Sequence, residues 1–439
     1  MVHRTLAFLL IAGPYAGRAA GQSPPPDDGR IRSAVERFAP TITEVRHRIH
    51  QYPELGNREV RTAGMIAEHL RGLGLEVRTG IAHTGVLAVL RGARPGPVVA
   101  VRADMDALPV TEQNDLPWRS TQRSTYLDQD VGVMHACGHD IHVAVQLGVA
   151  SVLAGMRDRL PGTVLFIFQP AEEGPPPGER GGARLMLEEG AFRDPRPAAV
   201  FGLHAKAEMD VGQVGYASGP FLAGASSWSA VVRGRQSHGA QPQLSVDPIV
   251  TASQVVLALQ TIRSRTLSPF TPSVVTVGII RGGERGNIIP AEVRLSGTIR
   301  YYSDAVRDTI ERRMHDIFRG ITAAAGGSYE LVVEGGLPVT VNDPILTARV
   351  RPTLERVVGA ANARIIEPWS ASEDFSFFAN EVPGFFFNLG VQRPGTTSGG
   401  HHTPTFMADD AAIPVGMRVM ATLLVDYLNG APSGAGTGR

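Results

Sequence analysis

The chain has 439 residues, 43% of them hydrophobic, with 42 basic and 42 acidic residues and no net charge at neutral pH. That length supports two domains, or one large domain carrying an insertion, each with a core of its own. The bases are 41 arginines and one lysine, Lys206, scattered among the acids without long runs, which argues against a nucleic-acid or polybasic membrane surface.

Residues 1–21 read as a signal peptide: His3-Arg4, an apolar run from Leu6 to Ala12, then small residues at Ala19, Ala20 and Gly21. The apolar run is too short for a stable spanning helix, so an exported protein, periplasmic or secreted and without a stable membrane anchor, is expected. Residues 22–30, with Ser23-Pro24-Pro25-Pro26, suit a linker, and residues 431–439 a flexible tail. One cysteine, Cys137, permits no internal disulfide, so packing must stabilise the fold.

Short apolar runs then alternate with helical patterns. Pro97–Arg102 ends in Ala103-Asp104-Met105-Asp106, Thr163–Phe168 in Gln169-Pro170-Ala171-Glu172-Glu173, and Ala198–Gly202 in Leu203-His204, with a helix predicted from Val143 to Met156. Such runs are strands buried on both faces of a mixed, mostly parallel sheet in an α/β domain. Each ends in chemically capable residues, at the sheet edge where open α/β folds bind ligands.

The middle of the chain changes character. Strand Ser226–Arg233, helix Asp247–Ser264, strands Ser273–Ile280 and Val293–Tyr302, helix Asp304–Ala325 and strand Ser328–Glu334 give the order βαββαβ of a ferredoxin-like α+β unit. The second helix carries Val306, Ile310, Met314, Ile317, Phe318 and Ile321 on one stripe. The expected organisation is one α/β domain in two parts, 31–215 and 331–430, around an inserted domain, 216–330.

The lone cysteine lies in MHACGHDIH, Met134 to His142, with three histidines. At the start of a helix a thiolate is favoured, as a nucleophile or as a metal ligand. A nucleophile needs a positioned base and gains nothing from two adjacent glutamates. A metal needs further nitrogen or oxygen donors, and Glu173, His204 and a histidine of His401-His402 offer them. A lone histidine is more often structural, but a set at sheet-edge positions favours the metal.

These residues, with VRADMDALP (101–109), MHACGHD (134–140), FQPAEEG (168–174), FGLHA (201–205), RGRQSHGAQP (233–242), RGGERGNIIP (281–290), SGTIR (296–300), SEDFSFF (372–378) and HHTPTF (401–406), occur in order over nearly the whole chain. The sequence resembles the aminoacylase and carboxypeptidase family of two-metal peptidases, in its amidohydrolase branch of N-acyl amino acid, hippurate and auxin-conjugate hydrolases. The resemblance implies two divalent ions per subunit, zinc or manganese with cobalt as a third option, held by Cys137, His139, Glu173, His204 and His402. It implies Glu172 as general base, Asp106 orienting a ligand histidine, and cleavage of the amide bond of a small N-acyl amino acid or dipeptide. It further implies that the α/β domain is the catalytic domain and the inserted domain a lid or dimerisation domain. A homodimer would form through the latter, with His238 stabilising the oxyanion across the interface and Asn287 and Arg300 near the substrate carboxylate. Asp104 is either part of this acidic pair or structural. Ile141 and Gln243 depart from the pattern and bear on specificity. The rival reading, an exported metal- or acyl-amino-acid-binding protein without turnover, leaves Glu172 idle.

Overall fold

The computed structural model describes residues 27–430; the signal-peptide reading, most of the linker and the tail lie outside the described residues. Eight strands form the large sheet in the spatial order Glu76–Ile81, Gly85–Arg91, Pro161–Gln169, Arg94–Asp104, Val200–Asp210, Gly384–Gln392, Val214–Tyr216 and Ala363–Ile365. The four central strands, from Pro161–Gln169 to Gly384–Gln392, run parallel, and antiparallel pairs flank them. Their apolar runs are buried because both faces are covered. Helices Asp28–Gln51, His139–Ala154 and Ala412–Gly430 pack on one side, and the short helices Gly182–Glu188 and Phe375–Glu381 on the other.

Every residue from His139 to Leu153 is buried, so this helix is apolar all round apart from the polar residues it presents at the sheet edge. It approaches Ala412–Gly430 closely through Gly148, where a Cβ would lie 2.5 Å from the Met417 sulfur. The helix starts at His139, ahead of the predicted Val143, which puts the chemistry on its first turn.

The third apolar run differs more from expectation. The strand is Val200–Asp210, and His204 lies inside it instead of beyond its end. Pairing with the last central strand continues through Asn388 opposite His204 and Gly390 opposite Lys206, so the ladder carries the histidine.

A second sheet, of four antiparallel strands, has the order Ser273–Arg281, Glu292–Tyr301, Gly224–Arg233, Ser328–Leu337, the arrangement of a ferredoxin-like unit. Helices Pro248–Thr261 and Asp304–Ala324 cover one face. Asp247 and Ser303 cap them, each accepting hydrogen bonds from first-turn amides. Ile310, Met314 and Phe318 are fully buried, with Val306, Ile317 and Ile321 packed beside them, as the stripe requires. Two edges shift relative to the expected boundaries. Tyr216 still pairs within the large sheet, and the last small-sheet strand continues to Leu337 because its ladder to Ala225 continues. The two connections, Gly219–Leu222 and Thr340–Asn342, pair with each other.

Phe318 packs against Trp228 and Tyr329, at ring separations of 6.3 and 5.6 Å. Phe318→Ala is expected to destabilise the small sheet and its helices by about 3–5 kcal/mol. Thermal unfolding followed by circular dichroism checks this; an unchanged midpoint would contradict the packing described.

Candidate metal centre

The site grows from the C-terminal edge of the parallel strands and from the turn that starts the buried helix. Gly138 separates the two donors of that turn. Its φ of +93° suits glycine, and a Cβ there would sit 2.7 Å from the Ala205 Cβ. The turn therefore packs against the strand bearing His204.

Cys137 Sγ is the focus. It lies 3.5 Å from His204 Nε2, 3.3 Å from His402 Nε2 and 3.7 Å from His401 Nδ1. Potential donor atoms of Cys137, His139 and His204, of Cys137, Glu173 and His402, and of His139, Glu172 and Glu173 lie within 4.8 Å of one another in each group. The first two groups share the sulfur, so Cys137 with His139, His204, Glu173 and His402 would be able to hold divalent ions. The remaining ring contacts fix which nitrogens are free. His139 Nδ1 donates to Asp106 at 3.2 Å, leaving its buried Nε2 without a hydrogen-bond partner. His204 Nδ1 donates to the Ala205 carbonyl at 2.6 Å, so its Nε2 faces the sulfur bare. Each is an imidazole pre-set by a hydrogen bond on its far nitrogen, the usual arrangement of a metal ligand.

The two adjacent histidines of the C-terminal motif separate on the same logic. His401 Nε2 accepts the Ala207 amide at 3.2 Å, so Nδ1 carries the proton and points at the sulfur as a donor. His402, at a φ of +63°, has Nε2 3.1 Å from Glu173 Oε1 and no such commitment. His402 is the one able to ligate, and with half its side chain exposed it marks the open side of the cluster.

Two more residues emerge that sequence reasoning left without a role. His142 Nε2 accepts the Ala205 amide at 2.7 Å while Nδ1 donates to Asp104, bracing the peptide beside His204. Its place three residues after His139 on a helix was the available signal. Arg102, fully buried, donates to Asp104 at 2.8 Å, to Glu373 at 2.9 Å, to Asp374 at 2.8 Å and to Gln169 at 2.8 Å. Asp104 thus belongs to the site's supporting network. His238 and Asn287 lie together at a separate two-stranded ribbon, Ser237–His238 paired with Ile288–Ile289, both exposed, where the Gly239 amide donates to the Asn287 carbonyl at 2.8 Å. Arg300 is half-buried on strand Glu292–Tyr301. Among the described residues no hydrogen bond or ion pair ties these three to the cluster.

The electrostatics call for positive charge. Burial, then Glu173 and Glu172, push the Cys137 thiol well above its ordinary range. Burial, then Glu373 and Glu173, likewise raise Glu172 well above the carboxyl range. Burial lowers His139, but Asp104 and Asp106 outweigh it and hold the ring at about 10. Burial, then His142 and His401, keep His204 neutral, the form that ligates.

The comparisons agree with this geometry. Residues 100–426 match the model of peptidase family M20/M25/M40. The chain belongs to that family. It is 35% identical to an IAA-amino acid hydrolase (ILR1-like 2) of Arabidopsis thaliana over 92% of this chain and 90% of the relative. It is 36% identical to an N-acetyl-L-cysteine deacetylase of Bacillus subtilis, over 84% of each chain. A solved Bacillus subtilis structure, the YxeP protein, described as a dinuclear metal binding peptidase of the M20 family, superposes with a TM-score of 0.76 at 32% identity, over 90% of this chain and all of that one. The chain is a hydrolase of this family, with groups of residues able to hold a metal gathered at one sheet edge.

Because the thiol and the His139 ring both hold protons at neutral pH, ion binding must release them. Titrating metal-stripped protein with zinc at pH 7, in buffers of different ionisation enthalpy, is expected to report a net release of protons, about two per subunit or more. No release would remove Cys137 and His139 from the ligand set.

Proposed function

We propose that the protein is a metal-dependent amidohydrolase that cleaves the amide bond of N-acyl amino acids, with Glu172 as general base. The observation that carries the reading is a single buried thiol ringed by imidazole nitrogens, next to two adjacent carboxylates in different surroundings. Glu173 faces His402 and the sulfur, while Glu172 turns toward Glu373 and Asp374. The names of the relatives, a hydrolase of IAA-amino acids and a deacetylase of N-acetyl-L-cysteine, support this substrate class.

Cys137, His139, Glu173, His204 and His402 would hold two divalent ions, zinc or manganese being the choices that thiolate, imidazole and carboxylate donors suit, with cobalt a further one. Bound ions supply Lewis acidity, making water nucleophilic near neutral pH and stabilising negative charge on the carbonyl oxygen. Asp106 keeps His139 in the ligating tautomer. Glu172 takes a proton from the attacking water and returns one to the leaving nitrogen, which it can do at neutral pH once positive charge beside it offsets its buried acidic neighbours. A cleft of about 360 Å³ opens beside Asp106 and Glu173, walled by Leu55, Leu108, Pro109, Leu127 and Pro176, and suits an apolar acyl group.

Purified protein stripped of metal and reloaded with zinc, manganese or cobalt should hydrolyse some members of an N-acyl amino acid panel. Glu172→Gln should lose turnover by roughly 100-fold or more while keeping its ions. Full activity in that variant would favour a different base, and metal binding without any hydrolysis would favour the binding-protein reading.

The working unit in this reading is a homodimer formed through the small sheet. Strand Ser273–Arg281 is an open edge with Val274, Ile279 and Ile280 exposed, and Ile249, Val250 and Leu257 are exposed on the neighbouring helix. His238 of one subunit would complete the other's site, with Asn287 and Arg300 toward the substrate carboxylate. His238→Ala should keep its metals and lose about 100-fold in turnover. Subunit exchange with Glu172→Gln protein should restore part of it; a strictly monomeric sedimentation profile would exclude the crossed site. Export rests on the leader pattern of residues 1–21, and secretion of the full-length chain by its host tests it.

A further inference from the structure

The loop that presents the two glutamates is held from behind by a residue outside the motifs. Glu59 is fully buried, at 0% exposure. It occupies the N-cap position of helix Val60–Gly72 yet makes no side-chain cap bond there. Glu54 does that work, accepting the Arg61 amide at 3.0 Å and the Thr62 amide at 2.9 Å. Glu59 is thereby free to turn inward. Its Oε1 accepts the Ala171 amide at 2.9 Å and its Oε2 accepts the Thr84 hydroxyl at 2.6 Å.

Ala171 immediately precedes Glu172. It sits at a φ of +51°, in the left-handed region that a residue with a Cβ avoids, and is buried against Gly56 and Gly181, whose added Cβ atoms would each lie 3.1 Å from its own. On the other side of Glu172, Asp106 Oδ2 accepts the Glu173 amide at 2.9 Å. The backbone amides on both sides of Glu172 are thus tied to buried carboxyl groups, one of which also orients His139.

We propose that Glu59 is a positioning residue for Glu172, holding Ala171 in the left-handed conformation that aims the base; this rests on Glu172 being the base. Asp106 fixes Glu173 to the metal-ligand side, and Glu59 fixes the turn that sends Glu172 to the other. Burial, then the nearby Asp106 charge, pushes Glu59 up to about 8, and a glutamine at this position keeps a carbonyl oxygen able to accept the Ala171 amide.

The test compares Glu59→Gln with Glu59→Met, which has similar length but no acceptor, alone and combined with Ala171→Gly, for which the left-handed conformation is unstrained. Turnover, KM, metal content and thermal midpoint are measured on the metal-loaded protein with the best substrate of the panel. Expected are near-normal kcat for Glu59→Gln, a loss on the order of 10- to 100-fold for Glu59→Met with KM and metal content held, and partial recovery in the Glu59→Met, Ala171→Gly double variant. If Glu59→Met does not fold, Glu59→Asp, whose shorter arm gives up the Ala171 amide, should show the same loss and the same recovery. Equal losses in Glu59→Gln and Glu59→Met, or no recovery with glycine, would overturn the proposal. A wild-type protein inactive on every substrate, or an active Glu172→Gln, would instead overturn the reading of the base.

Discussion

An excess of buried negative charge governs this molecule. Asp104, Asp106, Glu373 and Asp374 are almost wholly inside, with Glu172 and Glu173 beside them, and among the described residues Arg102 is the one arginine in direct contact with this group. One guanidinium cannot balance so many carboxylates in a medium of low dielectric, where an uncompensated charge costs several kcal/mol. Protons relieve part of the excess, which is why the Glu172 carboxyl and the Cys137 thiol are both pushed upward. Divalent cations would relieve it further and, in the proposed reading, turn the same groups into ligands and base. The catalytic reading follows from this buried charge as much as from any motif.

Two points of backbone strain lie in the same place. Ala171 and His402, two of the few non-glycine residues with positive φ, immediately precede or supply groups of the cluster, and Gly138 divides its first two donors. Such conformations persist where surrounding bonds over-determine them. Here the bonds are visible: the His402 amide to the Ala136 carbonyl at 2.8 Å, and the Ala171 amide to Glu59. Rigid strands and a fully buried helix supply the frame, and the irregular residues are the points where it is bent to bring side chains together.

How much of this was legible in the sequence depends on the range of the signal. Buried parallel strands write themselves as continuous apolar runs, and an amphipathic helix as a stripe, so the two sheets and the βαββαβ order could be read from local pattern. The end of the strand at His204 could not, because pairing with a strand some 180 residues later decides it. Site residues followed the same division. Adjacent Glu172 and Glu173, or Cys137 and His139, announce themselves by spacing. The choice between His401 and His402 turns on a backbone amide at Ala207, and the roles of Arg102 and Glu59 on partners 271 and 112 residues away. No local pattern carries that information.

The candidate donors gather at one sheet edge, and the cluster is open at His402, whose Nε2 lies 3.1 Å from Glu173. The groups proposed to contact the substrate lie outside the large sheet: Arg300 on strand Glu292–Tyr301, and His238 and Asn287 at the ribbon Ser237–His238 with Ile288–Ile289. In the proposed reading, a site divided in this way would hold its ions while assembling its substrate contacts only on closure. Water would then be excluded when the amide is attacked, where the fixed charges around Glu172 would have their greatest effect.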